Sequence, residues 1–149
     1  MLAQKLGLSL VSIRPQGVWS PIDETALVAW YQNREGITTV GASLGVSEWA
    51  DSSGNGYNMV QATVSERPTY DLSGALTFVS SNQTNLQTAS QISLTGDFTL
   101  GLKINTNTSN GAFIGDNTSS SEFFKYSSAS RISFKIAGSA SANLDLDSG

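Results

Sequence analysis

Apolar and polar residues alternate in short runs along much of the chain, the period of two that sends successive side chains to opposite faces of a strand. The clearest case is residues 97–105, where Phe98, Leu100, Leu102 and Ile104 alternate with Thr99, Gly101, Lys103 and Asn105. Residues 131–137 repeat it, with Ile132, Phe134 and Ile136 set against Ser133, Lys135 and Ala137. Further strands are predicted over 27–31, 46–50, 59–63, 75–79, 122–126 and 141–146, separated by polar turn-rich loops such as 80–85 and 105–111. No helical period of useful length interrupts them. The pattern predicts an all-β chain whose antiparallel strands form a two-sheet sandwich, with Trp30, Trp49, Phe78, Phe98, Leu100 or Leu102, Phe134 and Ile136 in its core.

Residues 1–24 read differently from the remainder, which places a domain at 25–149 and an arm before it. Leu6, Leu8 and Leu10 alternate with Gly7 and Ser9, and two proline-containing breaks follow, Arg14-Pro15-Gln16-Gly17 and Trp19-Ser20-Pro21-Ile22-Asp23. Proline removes a ladder donor and biases its predecessor towards extended backbone, so the segment is expected to run along a surface. Leu2, Leu6, Leu8, Leu10 and Ile13 then make an apolar strip that docks on another subunit. The alternative reading is an edge strand of the domain itself. Lys5 and the short apolar run after it resemble a signal peptide only superficially, because the run is interrupted by Arg14 and Pro15 and no small-x-small cleavage site follows. It is also too short to span a membrane.

Composition supports the strand reading. The chain holds 24 Ser, 13 Thr, 10 Asn and 14 Gly among 149 residues, with only 13% charged residues. Such residues favour turns and strands over helices. A 39% hydrophobic content supplies enough apolar surface to fold. Cysteine and histidine are both absent, which excludes disulfides, thiol nucleophiles and imidazole bases. The net charge of −4, with no basic patch, argues against nucleic acid as a partner.

The most informative segment is Trp49-Ala50-Asp51-Ser52-Ser53-Gly54-Asn55-Gly56-Tyr57-Asn58. Asp51 is placed to accept backbone N–H groups two residues on, Gly54 and Gly56 to take positive φ, and Trp49 to anchor the turn. A structural turn is the leading reading; the same oxygen-rich cluster of Asp, Asn and Ser also has the donor chemistry of a calcium site.

At this point the chain resembles a known family. Leu27-Val28-Ala29-Trp30-Tyr31, Trp49-x-Asp51-x-Ser53-Gly54-Asn55-Gly56, Gln61-Ala62-Thr63, Arg67-Pro68-Thr69-Tyr70, Ala75-Leu76-Thr77-Phe78 and Gly96-Asp97-Phe98-Thr99-Leu100 are similar to the concanavalin A-like lectin/glucanase (laminin G-like) jelly rolls. Such modules are frequent in bacteriophage structural proteins. The resemblance spans about residues 26–137 and implies a two-sheet antiparallel jelly roll, often carbohydrate-binding. Family members usually continue with further strands, so the chain is expected to be the amino-terminal portion of a longer protein, or else to have its sheets completed by a partner.

Glucanases of this superfamily place two catalytic glutamates on a Glu-x-Asp-x-x-Glu strand, and this chain has no such run among its five glutamates. Its nearest carboxylate pair is Glu48-x-x-Asp51. No enzymatic activity is therefore expected. Two functions remain. In the first, the chain is a structural component of a virus particle, a surface-decorating, fibre-associated or tail-associated protein of the virion. Its arm would bind other virion proteins, with homo-oligomers expected and no membrane insertion. In the second, it is a carbohydrate-binding module of a larger protein, with Tyr57, Asn58, Asp116, Asn117 and Tyr126 meeting the sugar. The two are compatible if a particle component contacts a host surface glycan.

Overall fold

A computed structural model describes residues 19–93, 97–105, 111–115, 122–128, 131–134 and 142–145. The described residues contain ten strands and three single 3-10 turns, with no α-helix. The chain is all-β, as the alternating pattern predicts. It divides into two compact units, Met1–Ser93 and Leu94–Gly149, each with its own antiparallel sheet.

In the first unit the strands are β1 (Ile37–Val40), β2 (Gly45–Trp49), β3 (Met59–Val60), β4 (Thr69–Tyr70), β5 (Leu76–Thr77) and β6 (Gln87–Thr88). β2 is the organising strand. β1 pairs along its whole length, β3 takes Glu48 and Trp49, and β4 takes Gly45. β5 and β6 extend the sheet from β4 and β3 respectively. Val46, the second residue of β2, has no exposed surface, and Pro68, whose carbonyl accepts the Val46 N–H at 2.8 Å, is likewise buried. The strands predicted at 46–50, 59–63 and 75–79 appear as β2, β3 and β5, shortened at their ends. β1, β4 and β6 lie outside the strands that the alternating pattern predicts.

The second unit is a meander of β7 (Gly111–Gly115), β8 (Glu122–Ser128), β9 (Arg131–Phe134) and β10 (Ala142–Asp145), in the order β10-β9-β8-β7. Phe124 on β8 lies opposite Phe134 on β9, their rings stacked with centroids 6.3 Å apart, a cross-strand aromatic pair of the kind that stabilises a sheet face.

Several expectations are corrected. Residues 97–105 pair with no strand among the described residues, although their alternation is the clearest in the chain. Phe98 is 46% exposed, and Leu100 and Leu102 are exposed with it. Residues 27–31 form no ladder among the described residues either. Phe78 is 52% exposed instead of buried, while Trp30, Trp49 and Phe134 are half-buried. Ile136 lies outside the described residues. The physical reason is common to all of these: alternation fixes which side chains share a face, and it supplies neither the neighbouring strand nor the opposing layer that would cover that face.

Of the predicted arm, residues 1–18, including Leu2, Leu6, Leu8, Leu10 and Ile13, lie outside the described residues. The remainder of it forms a 3-10 turn at Pro21–Asp23, closed by the Asp23 carboxylate on the Ser20 N–H at 2.8 Å. Beside it the Trp19 indole N–H donates to Glu24 Oε1 at 2.8 Å.

Candidate functional site

The polar loop after β2 is a clasp. Asp51 emerges from the strand and its carboxylate collects four donors: the Ser53 N–H (2.8 Å) and Trp30 N–H (2.9 Å) on Oδ1, and the Ser53 hydroxyl (2.7 Å) and Tyr57 N–H (3.1 Å) on Oδ2. Gly54 and Gly56 have φ of +89° and +79°, the backbone that lets the chain double back towards Asp51. From the tip of the loop the Asn55 amide donates to both the Leu27 and Val28 carbonyls, at 2.8 and 2.9 Å, and the Ser53 hydroxyl also lies 3.2 Å from the Val28 carbonyl. The Ser52 N–H donates to the Trp30 carbonyl at 2.7 Å. A remote segment, residues 27–30, is thus held by side chains and loop amides in place of a strand ladder.

Two aromatic residues brace the clasp. The Tyr31 hydroxyl donates to the Tyr57 carbonyl, the Trp49 indole N–H donates to the Gln32 carbonyl at 3.0 Å, and the two rings meet at 5.6 Å with planes tilted by 54°. Burial pushes the Tyr31 phenol up to about 12, with the neighbouring Asp51 charge acting in the same direction. Burial acts to raise the Asp51 carboxyl as well, but the donors from Trp30, Ser53 and Tyr57 outweigh it and hold the group below the ordinary carboxylate value.

Hydrogen-bond donors therefore occupy both oxygens of Asp51, the arrangement of a structural turn and not of a carboxylate presented to a cation. Glu48, its nearest partner in sequence, accepts the Asn58 amide at 2.6 Å, while the Asn58 carbonyl oxygen accepts the Asp51 N–H at 3.0 Å. Among the described residues, no group of three or more acidic, histidine or cysteine side chains gathers as a metal site.

A second node sits beyond β3. Gln61, nearly fully buried, donates to Asn85 Oδ1 at 2.9 Å and Glu66 at 3.3 Å, and accepts the Thr63 N–H at 2.9 Å. Arg67 reaches back to the Gln61 and Ala62 carbonyls at 2.9 and 3.1 Å. Sequence reading lists Gln61 and Arg67 only as parts of a resemblance; their role becomes visible once the chain brings Asn85 alongside.

No family model, no curated protein and no solved structure matches this chain. The site rests on its own geometry. Of the five residues expected to meet a sugar, Tyr57 and Asn58 are half-buried in the clasp, with the Tyr57 backbone and the Asn58 amide engaged as described. Tyr126 belongs to β8, opposite Ile132 and Gly111, in the other unit. Asp116 and Asn117 lie outside the described residues. Within the first unit, then, the structure brings Tyr57 and Asn58 together with Tyr31, Glu48 and Asp51, three partners that the sequence alone does not assign to them.

Proposed function

We propose that the chain is a structural component of a bacteriophage particle, a β-sandwich of jelly-roll type fixed to the virion through residues 1–24. The observation that supports this reading is how the polar groups of residues 48–58 are used. Asp51, Ser53 and Asn55 tie the loop to residues 27–30, and Glu48 and Asn58 tie its two ends together, so a chain without cysteine is held here by a network of hydrogen bonds. Chemistry spent on holding the chain suits a part that bears load, and both oxygens of Asp51 are taken up in that way. The ordered series of segments that resembles the jelly rolls of phage structural proteins is consistent with this reading. Contact with a host glycan, through Tyr57, Asn58, Asp116, Asn117 and Tyr126, is compatible with that role.

The test is mass spectrometry of purified particles, together with deletion of residues 2–14. The chain is expected among the virion proteins, and the deletion is expected to leave a folded domain that no longer assembles. Absence of the chain from particles overturns the proposal; unfolding of the isolated monomer on deletion overturns the anchoring role of the arm. A glycan array on the same domain checks the sugar contact separately.

A further inference from the structure

We propose that Asn55 is a site of spontaneous deamidation and that its conversion opens the clasp. The reaction needs a backbone nitrogen free to attack the Asn side-chain carbonyl carbon, a following residue small enough to allow the approach, and access for water. The structure supplies all three. Asn55 and Gly56 are exposed. Gly56 presents no side chain, and a Cβ built on it would meet nothing within 4 Å. Among the described residues the Gly56 N–H donates to no acceptor, whereas the N–H groups of Ser53, Asn55 and Tyr57 around it are all engaged.

The deprotonated Gly56 nitrogen forms a bond to Asn55 Cγ, the Cγ–Nδ2 bond breaks, and ammonia leaves with a proton taken from water. A five-membered succinimide results. Water then opens the ring at one of its two carbonyls, giving Asp or isoaspartate at position 55. No oxidant or cofactor enters.

The consequence follows from where the lost group was bonded. Asn55 Nδ2 is the donor to the Leu27 and Val28 carbonyls. Deamidation replaces that donor with a carboxylate oxygen facing two carbonyl oxygens, and adds a negative charge close to Asp51. Attraction becomes repulsion at the tip of the loop, while the Trp30 N–H stays on Asp51. Residues 27–28 are released first.

The experiment is incubation of the full chain in mildly alkaline buffer, followed by peptide mapping for the mass gain of NH2 replaced by OH and by an isoaspartate-specific methylation assay. The chain has a second Asn-Gly pair, Asn110-Gly111, which serves as an internal reference. Asn55 is expected to convert in the folded chain, faster than each Asn not followed by Gly, with a fall in Tm that tracks the converted fraction. Asn55→Asp is expected to lower Tm by about 5 °C at the outset, and Asn55→Gln to stop mass gain at this peptide while Asn110 continues. An Asn55 that stays intact while Asn110 converts overturns the site. Conversion with no change in Tm, or an Asn55→Asp chain as stable as the parent, overturns the opening of the clasp.

Discussion

The first unit uses the same four-residue pattern twice, Asp51-Ser52-Ser53-Gly54 and Asp71-Leu72-Ser73-Gly74. In both, Oδ1 of the aspartate accepts the N–H of the serine two residues on, the serine hydroxyl turns back to the same carboxylate, and the glycine takes positive φ. The local chemistry is alike, differing in which carboxylate oxygen takes the hydroxyl, and the long-range chemistry is not. Asp51 also binds the Trp30 and Tyr57 N–H groups, whereas beyond its serine Asp71 meets only the Gly74 and Ala75 amides, the latter at 3.4 Å, inside the hairpin between β4 and β5. In that hairpin the remote tie comes from elsewhere: Arg34 donates to the Ser73 carbonyl at 2.7 and 3.2 Å and packs against Gly74. A short motif makes the turn, and the segment that lies beside it decides which residue of the motif carries the load.

The sharpest way to break the comparison is at the two aspartates. Asp51→Ala orphans the Trp30 and Tyr57 amides along with the turn donors and is expected to cost about 3 kcal/mol in urea unfolding. Asp71→Ala removes only hydrogen bonds within an exposed hairpin and is expected to cost markedly less. Equal losses would mean that the remote donors contribute nothing.

The glycines should rank in the opposite order. A Cβ on Gly74 would stand 2.6 Å from Asn33 Oδ1 and 2.7 Å from Arg34 Cγ, at a φ of +95°, so Gly74→Ala must displace Arg34 from Ser73 as well as strain the backbone. About 2 kcal/mol is expected. Gly54→Ala meets only the backbone penalty at φ +89°, with nothing within 4 Å of the new carbon, and is expected to cost about 1 kcal/mol.

Acid weakens both turns. Both carboxyls are held below the ordinary value of 3.8, Asp71 by the Ser73 hydroxyl foremost and Asp51 by donors that overcome its burial. A depressed folded value means that the unfolded chain binds protons more readily, so this stability is fully present above about pH 5 and is lost as pH falls through 3.8 and then through the folded values. Asp51→Asn and Asp71→Asn are each expected to flatten the acid limb of a stability profile. The smallest effect is at the brace: Tyr31→Phe removes one hydrogen bond to Tyr57 and is expected to cost about 1 kcal/mol. It should also remove, in an ultraviolet titration, the phenol that ionises only near 12.

Sequence reading finds the first turn and misses the second, although the two share a pattern. Trp49, Asn55-Gly56 and the flanking strand signals make 49–58 conspicuous, and its Asp51 acceptor and its two positive-φ glycines follow from residue chemistry alone. Leu72 in the second turn breaks the run of small polar residues and hides it. What no local pattern states is that Trp30 lies against Asp51 or that Asn85 lies against Gln61, because each is a contact between residues more than twenty positions apart. The opposite failure occurs at residues 97–105, where a strong local signal meets no pairing strand among the described residues. Periodicity reports on faces, and a ladder requires a neighbour.

The clasp also bears on time. Its hydrogen bonds join residues 21 positions apart at Asp51 and Trp30 and 28 apart at Asn55 and Leu27, while β1 and β2 are joined by the short turn at residues 41–44. Short loops close at lower entropic cost, so the hairpin is expected to form early and the clasp to engage after the main barrier to folding. Contacts made after the barrier act on escape from the native state, not on entry to it. Asp51→Ala should leave the refolding limb of a chevron almost unmoved and raise the unfolding rate about 100-fold. On that expectation the carboxylate that draws four donors together sets how long the molecule stays folded, and not how fast it folds.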